Sequence, residues 1–328
     1  MTMEHQQRIN VTPKLDSRLF AVFALANAVG YNMENGWEFG PVRREVRCRL
    51  ARGAARWRTA LESLGILPYV QRGGASKLMD LAPQLASPPD FAPLRSCEYR
   101  VRWQTEWTRL QGIEATLADF VRHEPILEMW SEFKPAYEEE ASHFSAAGQH
   151  LARIAALFAE PSDVDVVLLP NLLDARGRGY SASSASQSWL YFGPMRNARQ
   201  AEEVAVHELL HRYIDHACEK RWQQEPAPTP DPMPLATARF RIVADLYSDF
   251  QIWVGETIVR AMTVRLVPDL EYVEESPAEA LLAYYERIGF LGVVAIHELL
   301  VQTPEQAFPD VIDECITQVR NEVLKQCA

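Results

Sequence analysis

The chain has 328 residues, of which 48% are hydrophobic, and a net charge of −11 at pH 7. This length allows one large domain or two ordinary ones, with a sizeable buried core. The acidic balance argues against a general nucleic-acid-binding protein. The five cysteines are scattered without a C-x-x-C spacing, which is typical of reduced thiols, so we expect a cytoplasmic location. The start of the chain has no signal-peptide pattern and no apolar run is long enough to span a membrane, so no membrane partner is expected.

The first 160 residues favour a helical N-terminal region. Helical spacing of apolar residues predicts helices over 15–29, 41–64, 76–83, 99–122, 125–144 and 145–159. The second of these helices carries a basic run from Arg43 to Arg58. This run could contact a polyanion, but a solvated helix face, or one paired with the acidic residues 138–140, is the preferred interpretation.

The pattern changes after residue 160, and we predict a second region over 161–328. Short β-type runs at 164–169, 180–184 and 188–192 predict a small sheet. A helix over 197–220, with Asn197 as its N-cap, follows directly. Beyond a proline-rich loop, further helices are predicted over 237–266, 276–288, 290–302 and 304–325. The predicted fold class is therefore α+β and predominantly helical.

The helix over 197–220 contains the motif His207-Glu208-Leu209-Leu210-His211. Residues four apart lie on one face of a helix, so both imidazoles can reach one zinc ion. Glu208 can then reach a water on that zinc and serve as general base. Two buried histidines and a buried glutamate would be costly without a metal, so we prefer a zinc site to a helix whose histidines only satisfy core hydrogen bonds.

Catalytic zinc usually takes three protein ligands and one water, so a third ligand is needed. His216 is nine residues past His207, which places it about 180° around the helix, and we reject it.

A better candidate lies on the apolar helix over 237–266. Asp245, Asp249 and Glu256 fall in one stripe of that helix, where acidic residues invite a cationic partner. Glu256 is the preferred ligand. Asp245 and Asp249 stay open as alternative ligands, as support for the ligands, or as ion-pair partners of nearby arginines.

This arrangement resembles the glutamate-zincins, the thermolysin-like and aminopeptidase-like metallopeptidases. The resemblance rests on HELLH in one helix and Gly255-Glu256-Thr257-Ile258-Val259-Arg260-Ala261 in the next. It implies a zincin-like domain in which Glu256 is the third zinc ligand. Two positions differ from the group, because Gly255 replaces the usual Asn and Arg260 stands where a thermolysin-type Asp would be. Together with the segment 11–32, these motifs look most like a bacterial family of predicted zinc peptidases.

We therefore predict a zinc-dependent metallopeptidase that hydrolyses peptide bonds in a peptide or protein substrate. His207, His211 and Glu256 would hold Zn²⁺, and Glu208 would be the general base. The alternative is a non-catalytic zincin-fold sensor or protein-binding regulator in which zinc is structural or absent.

Peptide hydrolysis also needs a second electrophile for the oxyanion. The candidates are Tyr180, Tyr191, Tyr284, Tyr285, His297 and Arg260. Tyr285 is preferred as a catalytic residue because tyrosines beyond the glutamate ligand serve this purpose in the enzymes that the chain resembles. The near copy of the motif at His297-Glu298-Leu299-Leu300 lacks its second histidine, so we expect no second zinc site there.

The zincin arrangement also implies a role for the small sheet. Its edge strand, either 180–184 or 188–192, would lie above the zinc and pair with an extended substrate. An ordinary β-meander capping a helical core is an equal alternative.

Overall fold

In the computed structural model, the described residues are 10–31, 40–72, 78–79, 81–92, 110–145, 147–158, 165–183, 187–224, 250–267 and 278–327. This part of the chain is mostly helical and contains one small four-stranded sheet. The predicted α+β, predominantly helical class is therefore confirmed at that level. None of its helices is both long enough and apolar enough to cross a membrane.

The chain forms two compact units, each discontinuous in sequence. The sheet unit comprises Val11–Ser145 and Asp165–Ala201. The site unit comprises Met1–Asn10, Ala146–Val164 and Glu202–Ala328. The sequence predicted two consecutive regions that meet at residue 160. The two units are instead each built from segments that alternate along the chain.

The sheet contains four strands in the order β1-β2-β4-β3. Their bounds are Asn10–Pro13 (β1), Asp165–Pro170 (β2), Gly179–Ser183 (β3) and Gln187–Phe192 (β4). β2 and β4 are parallel, with Val166 opposite Ser188, and β3 is antiparallel to β4. The three predicted strands are confirmed within a few residues, and β1 was not predicted. β3 is an edge strand and β4 lies inside the sheet, so of the two candidates for a substrate-pairing strand, 188–192 is not at an edge, and 180–184 stays a prediction.

The helices of the sheet unit surround a core that is centred on the first of them. They are Ser17–Ala28 (α1), Pro41–Leu50 (α2), Ala54–Ser63 (α3), Leu67–Arg72 (α4), Ile113–His123 (α5) and Ile126–Ser142 (α6), with a 3₁₀ turn at Ala82–Gln84. α1 is apolar on nearly every side and is buried accordingly.

The predicted helix over 41–64 is two helices, separated near Gly53. A Cβ at Gly53 would lie 2.1 Å from Glu124 Oε1, so any larger residue there would require the Glu124 carboxylate to move. The same carboxylate accepts a hydrogen bond of 2.8 Å from the indole N–H of Trp57.

The basic run on α2 and α3 contacts the protein itself. Arg43 and Arg47 donate to Asn27 Oδ1 at 2.8 and 2.9 Å. The exposed guanidiniums bind carboxylates of other helices, Arg49 to Glu132 and Arg56 to Asp119. These pairings confirm that the run is engaged within the chain. The partners of Arg49 and Arg56 are not the acidic residues 138–140, which the sequence offered as one alternative to a solvated face.

The sheet unit also contains a fully buried carboxylate, that of Asp174. Asp174 is 0% exposed, and its Oδ1 accepts hydrogen bonds from the Tyr31 hydroxyl at 2.8 Å and from the Ala175 N–H at 2.7 Å. Burial raises the pKa of Asp174 to about 6, although these hydrogen bonds and the charge of Arg43 oppose the rise.

The helices of the site unit match most of the predicted ones. They are Ala147–Phe158 (α7), Ala198–Gln224 (α8, assigned to this unit from Glu202 onward), Phe250–Leu266 (α9), Ala278–Ile288 (α10), Val293–Gln302 (α11) and Ile312–Cys327 (α12), with a 3₁₀ helix at Glu305–Val311. α9 is buried along most of its length and packs against α10, α11 and α12. The predicted start of this helix at 237 and the proline-rich loop before it lie outside the described residues.

Candidate metal centre

The HELLH motif lies within α8, as the sequence predicts. Asn197 is the N-cap of this helix, because its Oδ1 accepts a hydrogen bond of 2.9 Å from the Gln200 N–H. Inside the helix, His207 and His211 are one turn apart and their Nε2 atoms are separated by 3.3 Å. Both side chains are mostly buried, with 18% and 17% of their surface exposed.

Glu256 reaches the two histidines from the neighbouring helix α9. Its Oε1 lies 3.5 Å from His207 Nε2, and its Oε2 lies 3.3 Å from His211 Nε2. Glu256 is 6% exposed. The structure therefore brings together the three predicted ligands, and one donor atom from each lies within 4.8 Å of the others.

These separations, each measured to a different oxygen of Glu256, can be compared with those around a tetrahedral zinc ion. Zinc bonds of about 2.0–2.2 Å at tetrahedral angles place neighbouring ligand atoms about 3.3–3.5 Å apart. Direct charge-assisted hydrogen bonds between histidine and carboxylate would be shorter, about 2.7–2.9 Å. The cluster of two imidazoles and one carboxylate could therefore hold a metal ion, and its donors are of the kind that zinc prefers.

The electrostatics of the cluster keep the carboxylate ionised. Burial raises the pKa of Glu256, but the charge of Arg260 and the two imidazoles outweigh burial, so this pKa lies well below its ordinary value. Burial lowers the pKa of His207, against the opposing charge of Glu256. A carboxylate and a neutral imidazole are the forms that bind a metal.

Asp215 supports His211 from behind. Its Oδ1 accepts a hydrogen bond of 3.1 Å from His211 Nδ1, which leaves Nε2 of that ring directed at the cluster. Burial lowers the pKa of His211, but the carboxylates of Asp215 and Glu256 outweigh burial and raise it well above its ordinary value. Sequence reasoning missed Asp215. The available signal was its position four residues past His211, on the same helix face.

Gly255 makes room for that aspartate. A Cβ at Gly255 would lie 3.2 Å from Asp215 Oδ1 and 3.9 Å from Cys218 Sγ. The absence of a side chain therefore lets α9 approach α8 at the level of His211. This contact gives a physical reason for glycine at the position where the glutamate-zincins usually carry Asn.

Arg260 occupies the next turn of α9 and binds the carboxylate directly. Its Nη2 lies 2.5 Å from Glu256 Oε1. Its guanidinium carbon lies 4.8 Å from the ring centroid of Tyr285 and 4.2 Å from that of Phe290. The guanidinium is therefore fixed between the carboxylate and two aromatic faces.

The two predicted catalytic residues are both buried in the site unit. Glu208 is 7% exposed on α8, adjacent to His207. Tyr285 is 5% exposed on α10, against Arg260. Burial raises the pKa of Tyr285 to about 12, although the charge of Arg260 opposes the rise. Tyr285 therefore keeps its phenolic proton at neutral pH and can donate a hydrogen bond.

The remaining candidates are distributed over both units or lie outside the described residues. Tyr180 and Tyr191 belong to the sheet unit, while Tyr284 is 42% exposed on α10. His216 is exposed on α8, in agreement with its rejection. Within the described ranges, His207, His211 and Glu256 form the one group of three such side chains close enough to hold a metal ion. Asp245 and Asp249 lie outside the described residues.

The chain matches no protein-family model, no curated protein and no solved structure. The resemblance to the glutamate-zincins therefore rests on the motif residues alone.

Proposed function

We propose that this chain is a zinc-dependent metallopeptidase that hydrolyses peptide bonds in a peptide or protein substrate. The observation that carries the proposal is the triangle of His207 Nε2, His211 Nε2 and the Glu256 carboxylate, with edges of 3.3–3.5 Å. Two further features support it. Asp215 fixes the ring of His211, and Glu208 adjoins His207 within the same motif.

Each residue of the site has a distinct task in the proposed reaction. His207, His211 and Glu256 would hold the ion, which lowers the pKa of a water and polarises the substrate carbonyl when it is bound. Glu208 accepts the proton of the attacking water and passes it to the leaving amine. Tyr285, protonated at neutral pH, donates a hydrogen bond to the oxyanion that forms on the carbonyl. We also propose a cytoplasmic location, because Cys48, Cys218 and Cys315 are free thiols.

A peptide-library cleavage assay tests this proposal, with wild-type protein measured with and without a chelator. We expect chelator-sensitive cleavage. Glu208→Gln should retain zinc and lose cleavage by about 10²–10⁴-fold, because it removes the general base. Glu298→Gln is the matched control, since it makes the same change in the incomplete motif on α11, where Glu298 is exposed. Full activity of Glu208→Gln would refute its role, and zinc binding without any cleavage would favour the non-catalytic sensor or regulator.

A further inference from the structure

Arg260 makes a short, largely buried contact with a side chain of the metal cluster. Its Nη2 lies 2.5 Å from Glu256 Oε1, with both side chains largely buried, at 19% and 8% exposure. A guanidinium held between the rings of Tyr285 and Phe290 has little freedom to turn away. Since a charge-assisted hydrogen bond is stronger than a neutral one and is screened less when buried, this pair restrains one particular carboxylate oxygen.

The two oxygens of Glu256 have different surroundings. Oε1 faces His207 at 3.5 Å and also accepts from Arg260, whereas Oε2 faces His211 at 3.3 Å. With one oxygen turned towards each imidazole, the carboxylate is placed so that either oxygen, or both, could bind an ion between the histidines. The hydrogen bond from Arg260 breaks this near symmetry.

We propose that Arg260 is a positioning residue that makes Glu256 a one-oxygen ligand. Arg260 holds Oε1, and Oε2 is left to bind the metal. The proposal rests on the proposed function, because it takes a metal at the cluster as given. A catalytic zinc site needs a position that the protein does not fill, and a carboxylate that bound through both oxygens would take up part of that space.

Cobalt(II) reports directly on this arrangement, because its visible absorption is intense in four-coordinate sites and much weaker in five-coordinate ones. We would load wild-type protein, Arg260→Met, Arg260→Lys and Arg287→Met with Co²⁺ and compare spectra. Met keeps an unbranched apolar side chain against Tyr285 and Phe290 but donates no hydrogen bond. Lys keeps one charged donor. Arg287 stacks on Tyr284, where it is exposed, and serves as the matched control for loss of an arginine from an aromatic face.

We expect an intense four-coordinate spectrum for wild-type protein and for Arg287→Met. Arg260→Met should lose several-fold in intensity as Oε1 joins the metal, and Arg260→Lys should recover much of that loss. An Arg260→Met spectrum equal to that of wild-type protein would overturn the proposal. If Arg260 only stabilised the fold, its replacement by Met would not change the Co²⁺ spectrum at full metal occupancy, and Lys would not restore the intensity.

A zinc-loaded crystal structure of wild-type protein tests the same claim even if the Arg260 variants fail to fold. It should show Oε2 at about 2.0–2.2 Å from zinc and Oε1 still bonded to Arg260. Two equal zinc–oxygen distances to Glu256 would overturn this inference and leave the proposed function intact. If wild-type protein bound neither Co²⁺ nor Zn²⁺, both would be overturned.

Discussion

Replacing Gly255 by alanine should separate metal affinity from fold stability. The added Cβ would lie 3.2 Å from Asp215 Oδ1, which is closer than an ordinary carbon–oxygen contact. Asp215 must therefore withdraw by a few tenths of an ångström. Its side chain is 55% exposed, so it can move at little cost to the fold. The hydrogen bond to His211 is already 3.1 Å long, and a further withdrawal would leave it outside the range of good geometry.

The substitution should lower the affinity for zinc without lowering the free energy of unfolding of the metal-free protein. Loss of a carboxylate that orients a ligating histidine typically weakens metal binding by 10–100-fold, and we expect a loss of about tenfold because Asp215 is displaced and not removed. Alanine within a helix is favoured over glycine by up to about 1 kcal/mol, so the free energy of unfolding of the metal-free protein should stay equal or rise.

Two assays check these expectations. Zinc affinity is measured by competition with a chromophoric chelator, and the free energy of unfolding of the metal-free protein by urea denaturation. The control is Gly255→Ala in an Asp215→Ala background, where the methyl group has no carboxylate to displace and should cause no further loss of affinity. An unchanged affinity in the single variant, or an equal further loss in the double variant, would refute the role given to the Gly255–Asp215 contact.

Three further predictions concern single residues. Tyr285→Phe should lower kcat by about 10²–10³-fold at unchanged zinc content, because it removes an oxyanion donor, and an unchanged kcat would exclude that role. Glu256→Ala should lose zinc on dialysis as measured by elemental analysis; full retention would move the third ligand to Asp249 or Asp245. Asp174→Asn should remove a pH dependence of stability. Because the pKa of Asp174 is raised in the folded protein, its contribution to the free energy of unfolding is fully present below pH 3.8. This contribution, about 3 kcal/mol, is lost as the pH rises through about 6. Asparagine keeps an oxygen for both hydrogen bonds to Asp174 Oδ1, so urea denaturation of the variant should show a flatter profile between pH 4 and 7; an equally steep decline would contradict the assignment.

Much of the candidate site was predictable because helix periodicity is a local property. The spacing of His207 and His211 places both on one face of a helix. Glu256 was the preferred third ligand because it is an acidic residue on an apolar helix. The supporting residues were harder to predict. In the sequence Asp215 resembles any exposed acidic residue of a helix, apart from its position four residues past His211. Its contact with Gly255 is made on another helix, which the sequence does not specify.

The fold shows the same limit. The helices over 125–144 and 145–159 were predicted to within a few residues. By contrast, the helix predicted over 99–122 begins at Ile113, after Gly112 with its positive φ of 91°, and the helix predicted over 41–64 is interrupted near Gly53. β1 escaped prediction because its four residues end in proline and are mostly exposed, so no alternation marks them. The partners of Arg49 and Arg56 likewise depend on which helices become neighbours, which composition does not specify.

The central claim is that His207, His211 and Glu256 hold one zinc ion, and calorimetric titration of the metal-free protein with zinc tests it most directly. We predict one site per chain, abolished by His207→Ala and unaffected by His216→Ala, which removes an exposed histidine of the same helix. No binding to wild-type protein, or binding that survives His207→Ala undiminished, would contradict the account.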